Sequence, residues 1–363
     1  MTINPISLSD PFFNKPGHEL DELITRVKRK FGRRLLILGH HYMSDAIIAH
    51  ADRRGDSFAL AKIAAAATAE YIVFCGVHFM AETADIVTRP EQQVFIPDPT
   101  AGCFLADCAR IESVVTAWRT LRSWSGARIV PITYVNSGAD LKAFCGENGG
   151  LVCTSSNAAA ALTWAFERGD KVFFFPDQHL GRNTAYKMGI DLAEIILWNS
   201  DETDGAVSEK SIRQARVILW DGFCDVHQEF DGDTIERFRR EDPRIRIIVH
   251  PECNFDVARS ADEMGSTADI IEKVKNAPPG THWAIGTEKN LVNRLQNEHP
   301  EQRIEILHSS EPACRTMAQI SLEKLAFQLD QLDRGNLINR VVVAERFAAG
   351  ARKALQRMLE LKS

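Results

Sequence analysis

Three cysteines stand at matching places in three copies of one sequence pattern. Cys103, Cys224 and Cys314 each follow a short apolar run, and the three segments read VFIPDPTAGC, ARVILWDGFC and IEILHSSEPAC. Each run predicts a β-strand whose cysteine lies in the loop that follows. One thiolate from each of three loops can bind a metal or a cluster and leave one coordination position open. The pattern therefore favours catalysis at an open metal position.

The surroundings of these cysteines favour an iron–sulfur cluster over zinc. The chain has eight cysteines but no C-x-x-C pair, so zinc ribbons and thioredoxin-like redox motifs have no support. Four-iron clusters are held by cysteine thiolates, and with three of them one iron is left bare and can act as a Lewis acid. Cys108 and Cys253 are the rival ligands, because each lies near a proposed ligand or in a strand-end loop. We expect Cys75, Cys145 and Cys153 to be structural.

Polar side chains follow a predicted strand in each copy and supply the candidates for proton transfer. They are His40 and Tyr42, then Tyr134 and Asn136, then His250 and Glu252. All of these except Asn136 are acid–base candidates, and we expect burial to raise the pKa of Glu252. His227 is either a second donor near the cluster or a surface residue. His78, His179 and Glu288 are weaker candidates of the same kind.

A small polar turn opens a helix in each copy. The turns carry Ser57, Ser155, and the pair Ser266 and Thr267. An ordinary helix cap is the alternative interpretation of each one alone. Three of them in register beside three cysteines favour binding of anions by helix N-termini. The expected substrate is therefore a small polyanion that carries carboxylates, a phosphate, or both.

The triplication also predicts the architecture. Each copy opens with an amphipathic helix followed by a strand, as in ELDELITRVKRKFG and RRLLILGHHY, and continues with further strands and helices. This alternation predicts an α/β fold of three pseudo-symmetric domains, each a short parallel sheet with flanking helices, around one central active site. The predicted repeats are 15–109, 110–229 and 230–314, with helices of 315–363 packing back on the first. The second copy is about twenty residues longer near NSDETDGAVSEKS, where an acidic, solvated loop is expected.

Composition sets the broad class of the protein. The 363 residues are 45% hydrophobic and 25% charged, which is ordinary for a globular chain with two or three domains. A net charge of −6 argues against nucleic acid as a partner. No apolar stretch reaches the ~18 residues that span a membrane. MTINPISLSDPFF lacks the features of a secretory signal, so we expect a cytoplasmic protein with no membrane partner.

The motifs together resemble the quinolinate synthase family. The resemblance rests on GHHY, GDS, GVHFMAETA, AGC, YVNS, TSSNA, PDQHLGR, GFCDVHQEF, HPEC, GST and PAC, which run in order from about residue 33 to the end. It implies a transferase of the condensing type that forms quinolinate, the pyridine precursor of NAD, from iminoaspartate and dihydroxyacetone phosphate. It also implies a [4Fe-4S] cluster and, as a partner, an aspartate oxidase or dehydrogenase that supplies iminoaspartate.

The same resemblance assigns roles to single residues. It implies that Cys103, Cys224 and Cys314 are the cluster ligands. The implied substrate-binding and catalytic residues are His40, Tyr42, Ser57, Tyr134, Asn136, Ser155, His250, Glu252, Ser266 and Thr267. His41 and the long loop before Cys224 depart from the family pattern, and Cys314 lacks the C-x-x-C-x-x-C surroundings of some members. All three ligands are nevertheless present.

Two other functions remain open from the residues. One is a different three-cysteine iron–sulfur enzyme, either an aconitase-like hydro-lyase or a diphthamide-synthase-like enzyme that cleaves S-adenosylmethionine. The other is a cluster-bearing redox sensor that binds nucleic acid, which would need a basic face that the charge balance does not offer. Formation of a pyridine from the two small substrates separates the first alternative from quinolinate synthesis.

Overall fold

The structure is a computed structural model that describes residues 11–202 and 204–361. Two compact units divide these residues. The first runs to Cys103 and resumes from Ala313 to Val343; the second runs from Phe104 to Pro312 and takes in the chain from Ala344 onward. Residues 1–10 of the segment expected to lack a secretory signal lie outside the described residues. No helix in the described ranges is long and apolar enough to cross a bilayer.

The first unit contains one five-stranded sheet. Its strands are β1 (Leu35–His40), β2 (Arg53–Gly55), β3 (Tyr71–Cys75), β4 (Gln93–Phe95) and β14 (Arg340–Val341). Its helices are α1 (Gly17–Phe31), α2 (Asp45–Ile48), α3 (Ser57–Ala66), α4 (His78–Val87) and α15 (Leu322–Asp333). The strand order is β14-β4-β3-β1-β2, and every pair is parallel except β14 with β4. Amphipathic α1 buries Leu20, Ile24 and Val27, one helical face, and packs on α15.

The second unit contains two parallel sheets. The five-stranded sheet has β5 (Ile129–Tyr134), β6 (Leu151–Cys153), β7 (Lys171–Phe175), β8 (Ile195–Trp198) and β9 (Val217–Trp220), in the order β6-β5-β7-β9-β8. The four-stranded sheet has β10 (Arg246–Val249), β11 (Glu263–Met264), β12 (His282–Gly286) and β13 (Arg303–Ile306), in the order β11-β10-β12-β13. Every residue of β5 and β7 is buried, as expected for parallel strands covered on both faces.

Helices flank both sheets of this unit. They are α5 (Phe104–Asp107), α6 (Ile111–Ser125), α7 (Ala139–Glu147), α8 (Ala158–Phe166), α9 (Gln178–Lys187), α10 (Glu209–Gln214), α11 (Gly232–Glu241), α12 (Phe255–Ser260), α13 (Thr267–Lys275), α14 (Lys289–Glu298) and α16 (Glu345–Glu360). Short 3₁₀ helices add a turn at Pro11–Asn14, Gly32–Arg34, Leu192–Glu194, Val226–Glu229 and Met317–Gln319.

The predicted fold class is confirmed, because short parallel sheets flanked by helices recur along the chain. In each sheet the first strand of the copy lies between the second and the third, and the strand that precedes the cysteine follows the third. The boundaries of the three repeats stay a prediction. The last helix differs from expectation: α16 packs on α7 and β6 of the second unit, whereas α15 packs on α1.

The acidic insertion of the second copy is more ordered than expected. Instead of one solvated loop it supplies the edge strand β8, which pairs in parallel with β9, and then α10. Exposed turns fill the described residues between them. The apolar run EIILW in front of the acidic residues is the sequence signal for this strand.

Backbone contact between α7 and α16 supports one stability prediction. A Cβ on Gly146 would lie 1.9 Å from the carbonyl oxygen of Gly350. We therefore expect Gly146→Ala to destabilise the protein by at least the ~1–3 kcal/mol typical of overpacking. Thermal unfolding followed by circular dichroism measures the effect. Gly232→Ala is the control, because a Cβ there meets nothing within 4 Å; equal melting temperatures for the two variants would contradict the prediction.

Candidate active site

A buried carboxylate lies at the carboxyl end of β10 in the second unit. Glu252 is 3% exposed, and its Oε2 lies 2.7 Å from Nδ1 of His227 and 3.8 Å from Nδ1 of His250. The Tyr134 hydroxyl, at the end of β5, donates a hydrogen bond to the same carboxylate. The loops after three strands thus bring four ionisable side chains together. His227 is 1% exposed, so its interpretation as a surface residue is wrong.

The charge of Glu252 differs from the sequence-based expectation. Burial alone would raise the pKa of its carboxyl, but the neighbouring His250 and His227 and hydrogen bonds from His227 and Tyr134 outweigh burial and lower it below its ordinary value. The expected raised pKa is therefore wrong, and Glu252 is a carboxylate at neutral pH. Burial lowers the pKa of His250 to about 3, so its imidazole is neutral there.

His227 connects this carboxylate to a residue that the sequence analysis did not select. Its Nε2 lies 3.2 Å from Oγ1 of Thr287, and its ring stacks on that of His250 with centroids 4.5 Å apart. Thr287 follows β12, so its strand-end position was the available signal. A Thr–His–Glu chain of this kind can pass a proton through the imidazole. One ligand atom each from Cys224, His227 and Glu252 lies within 4.8 Å of the others, which would also suit a metal ion.

Asp177 is a second buried carboxyl, and it lies close enough to Glu252 for the Glu252 charge to affect the ionisation of Asp177. It is fully buried and caps α9 by accepting the Leu180 N–H at 2.8 Å. Burial, followed by the Glu252 charge, raises the pKa of Asp177 well above its usual value. Each buried carboxylate therefore makes ionisation of the other less favourable. Asp177 was not predicted from the sequence, although its helix-capping position was an available signal.

Histidines of the first and third copies have the same local geometry. In the first unit, Nδ1 of His40 accepts the Tyr42 backbone N–H at 3.2 Å; in the second, Nδ1 of His250 accepts the Glu252 N–H at 3.4 Å. Each bond assigns the ring proton to Nε2. The rings of His40 and Tyr42 meet edge to face with centroids 4.8 Å apart. His40 and His250, which occupy equivalent positions in the first and third copies, thus make equivalent hydrogen bonds.

The cysteines differ in burial and in their position relative to the strands. All eight lie in the described residues, none forms a disulfide, and Cys103, Cys224 and Cys314 are half-buried in loops after β4, β9 and β13. Burial raises the pKa of the remaining thiols: to about 12 for Cys75, well above the ordinary value for Cys145, Cys153 and Cys253, and in the same direction for Cys108. Cys108 is also half-buried, but burial still raises the pKa of its thiol. Because metals bind thiolates, Cys103, Cys224 and Cys314 suit a cluster better than the other five.

Polar contacts support the loops that carry these thiols. In the first unit, Sγ of Cys314 lies 3.3 Å from Oγ1 of Thr316. Asp98, in the loop before Cys103, accepts hydrogen bonds from Thr100 and forms a 2.5 Å ion pair with Lys324 of α15. In the second unit, Gln228 donates to the carbonyl oxygens of Cys224 and Glu252 at 3.3 and 3.0 Å. These contacts tie the Cys224 loop to the Glu252 loop.

The polar turns at helix starts are not equivalent. Ser57 is the first residue of α3, whose cap is Asp56, and Ser155 lies in the turn before Asn157, the cap of α8. Ser266 itself caps α13 through a reciprocal pair of hydrogen bonds with Asp269, and buried Thr267 follows it. The helix-cap alternative therefore holds for Ser266, although a cap can still offer its helix N-terminus to an anion.

The turn before α8 has unused hydrogen-bonding capacity. Oγ1 of Thr154 and Nδ2 of Asn157 are buried and have no hydrogen-bond partner among the described residues. Ser155 stands between them, and Asn136 follows the adjacent strand β5, half-buried. Unpaired buried donors next to a helix N-terminus are suited to carboxylate or phosphate oxygens.

The chain is similar to known proteins along nearly its whole length. The family model described as quinolinate synthetase A protein (NadA) matches residues 22–360. The chain is 51% identical to a quinolinate synthase from Geobacillus kaustophilus (strain HTA426) over 344 residues, 94% of each chain. It is 48% identical to one from Rhodopirellula baltica over 365 residues, 97% of this chain and 93% of that one. It is 46% identical to one from Acidobacterium capsulatum over 357 residues, 97% and 96% respectively. The chain belongs to the quinolinate synthase family.

Proposed function

We propose that the protein condenses iminoaspartate with dihydroxyacetone phosphate to form quinolinate, releasing phosphate and water, as a step of NAD biosynthesis. The observation that carries the proposal is family membership over nearly the whole chain. The alternatives, a hydro-lyase or an enzyme that cleaves S-adenosylmethionine, have no such support. An aspartate oxidase or dehydrogenase would supply iminoaspartate.

The proposed cofactor is a [4Fe-4S] cluster held by Cys103, Cys224 and Cys314. The fit rests on the donor set: these thiols are half-buried in strand-end loops, while burial raises the pKa of the others. Bound by these three thiolates, such a cluster would supply Lewis-acid chemistry toward substrate oxygens.

The protein's own groups supply proton transfer. Glu252, a carboxylate at neutral pH, is the proposed base that takes a proton from carbon or nitrogen of substrate. His227, between Glu252 and Thr287, holds the Glu252 carboxylate by a hydrogen bond from Nδ1. Tyr42 is the proposed acid toward leaving hydroxyl groups. Tyr134 holds the Glu252 carboxylate, while His40 and His250 orient substrate through their Nε2 protons.

Helix N-termini of the three copies are the proposed binding sites for substrate anions. Ser57, Ser155, Ser266 and Thr267 stand at or beside these N-termini, and Asn136 follows β5, which pairs with the strand before Ser155. The backbone N–H groups of these helix N-termini and the side chains of the named residues would bind the carboxylates of iminoaspartate and the phosphate of dihydroxyacetone phosphate.

Quinolinate formation is the direct test. Protein purified without oxygen, and containing iron and sulfide, should convert iminoaspartate and dihydroxyacetone phosphate to quinolinate and one phosphate, measured by chromatography. Exposure to air should bleach the protein and stop the reaction. Full turnover by colourless, iron-free protein would reject the cluster, and absence of quinolinate with four irons bound would reject the reaction.

One proposed anion-binding site can be tested without disturbing a helix cap. Thr267→Ala removes a hydroxyl from the first turn of α13 and leaves the Ser266–Asp269 pair in place. Because a hydrogen bond to a charged group contributes about 1.5–3 kcal/mol, KM for one substrate should rise about tenfold to a hundredfold. Steady-state kinetics with each substrate varied in turn measures this, with iron content as the control. An unchanged KM for both would remove Thr267 from the substrate site.

A further inference from the structure

Asn183 of α9 holds the loop that carries Glu252. This side chain is 3% exposed, and its Nδ2 donates hydrogen bonds to the carbonyl oxygens of Pro251 at 2.9 Å and Cys253 at 2.7 Å. The two acceptors lie on either side of Glu252 in the sequence. An amide nitrogen has two N–H donors, so both are used on this loop.

Only the donor half of the Asn183 amide is in use. Its Oδ1 is buried and has no hydrogen-bond partner among the described residues. A reversed amide would point Oδ1 at two carbonyl oxygens, so the orientation is determined by the loop. A buried polar atom without a partner costs stability. The residue is therefore better explained by what its two N–H groups hold than by its contribution to packing.

Main-chain hydrogen bonds define a turn in this loop, and side-chain amides bind its outward carbonyl oxygens. The His250 N–H donates to the carbonyl oxygen of Gly286 and the Cys253 N–H to that of His250, both at 3.0 Å. After β10 ends at Val249 the chain leaves the sheet, and the next helix, α12, begins only at Phe255. Within this span the Glu252 carbonyl accepts a hydrogen bond from Gln228 at 3.0 Å. Side-chain amides thus bind three consecutive carbonyl oxygens, those of Pro251, Glu252 and Cys253. This fixes the main chain from which the Glu252 side chain reaches His227 and Tyr134.

We propose that Asn183 is a positioning residue for the reaction, which acts by fixing the Glu252 loop so that the carboxylate faces His227 and Tyr134. The inference rests on the proposed role of Glu252 as the base. Asn183 touches no proposed substrate group, and it holds Glu252 from a neighbouring helix rather than from the strand-end loop itself. A displacement of about 1 Å in a catalytic group can cost about 10²-fold in rate, so such a clamp has a measurable effect.

The variant Asn183→Asp keeps the size of the side chain and removes both N–H donors. In the cluster-containing protein we expect kcat to fall about tenfold to a hundredfold, with KM changed less than about threefold and iron content unchanged. Asn148→Asp is the matched control, because Asn148, directly after α7, also donates through Nδ2 to a carbonyl oxygen, that of Phe144 in α7. The control should keep wild-type kcat. Asn183→Ala repeats the test if the aspartate variant does not fold.

A double-mutant cycle with Glu252→Gln separates positioning from folding. If Asn183 acts through Glu252, Asn183→Asp should lower the residual turnover of Glu252→Gln by less than about twofold. Fully additive losses, wild-type kcat in Asn183→Asp, a change in KM alone, or failure of both Asn183 variants to fold would each overturn the inference and leave the proposed function standing. Wild-type turnover in Glu252→Gln would overturn the role of Glu252 together with the inference.

Discussion

Each of the three variants Cys103→Ala, Cys224→Ala and Cys314→Ala should lose its iron and remain folded. Two thiolates hold a four-iron cluster poorly, so iron and sulfide content and the visible absorption should be lost. Because a Lewis-acid metal contributes several kcal/mol to transition-state stabilisation, turnover should fall at least about 10³-fold. Far-ultraviolet circular dichroism should be unchanged, since these thiols lie half-buried in loops outside the strands.

The five other cysteines are the controls for this prediction. The closest rivals are Cys108, whose Sγ lies 3.4 Å from the Phe104 carbonyl oxygen, and Cys253, which is fully buried with Sγ 3.7 Å from the Gly286 carbonyl oxygen. Alanine at either position should leave iron content near wild type. Loss of the cluster from Cys108→Ala or Cys253→Ala, with retention in Cys103→Ala, would contradict the alignment of the three copies.

The fold could be predicted because its determinants are local. Buried parallel strands are continuous apolar runs, such as IVPITY and VFFF, and each is followed by polar turn residues and an amphipathic helix. Strand β14 was missed, because it has only two residues and pairs antiparallel with β4 far away in the sequence. The packing of α16 on α7 was missed for a related reason: it depends on small residues such as Gly146 and Gly350, which the apolar pattern does not indicate.

The candidate site was only partly accessible from the sequence. Strand-end positions identified Tyr134, His250 and Glu252. The structure places Tyr134 and His250 around the Glu252 carboxylate. The sign of the Glu252 pKa shift could not be predicted, because burial and hydrogen-bond donors act in opposite directions and the donors come from other strands. The role of Asn183 could not be predicted from the sequence, because an asparagine inside a helix is usually solvated. Its role depends on a loop that is distant in the sequence.

Replacing Glu252 by glutamine should cause the largest loss of turnover among variants that keep the cluster. The change preserves shape and a hydrogen-bond acceptor for His227 but removes the ability to take a proton. General acid–base catalysis contributes about 10²–10⁴-fold, so kcat should fall on that order while iron content stays constant. Stopped assays for quinolinate under anaerobic conditions measure the effect.

The pH dependence gives this prediction a second, independent check. Because hydrogen bonds and neighbouring imidazoles outweigh burial and lower the pKa of Glu252, its carboxylate persists as pH falls through the ordinary range for a glutamate. The ratio of wild-type to Glu252→Gln turnover should therefore be constant from about pH 6 to about pH 8. A raised pKa would instead make the ratio shrink at the acidic end, where wild type would already carry a neutral carboxyl. A ratio that falls with decreasing pH, or a variant with wild-type turnover throughout, would assign the base to another residue.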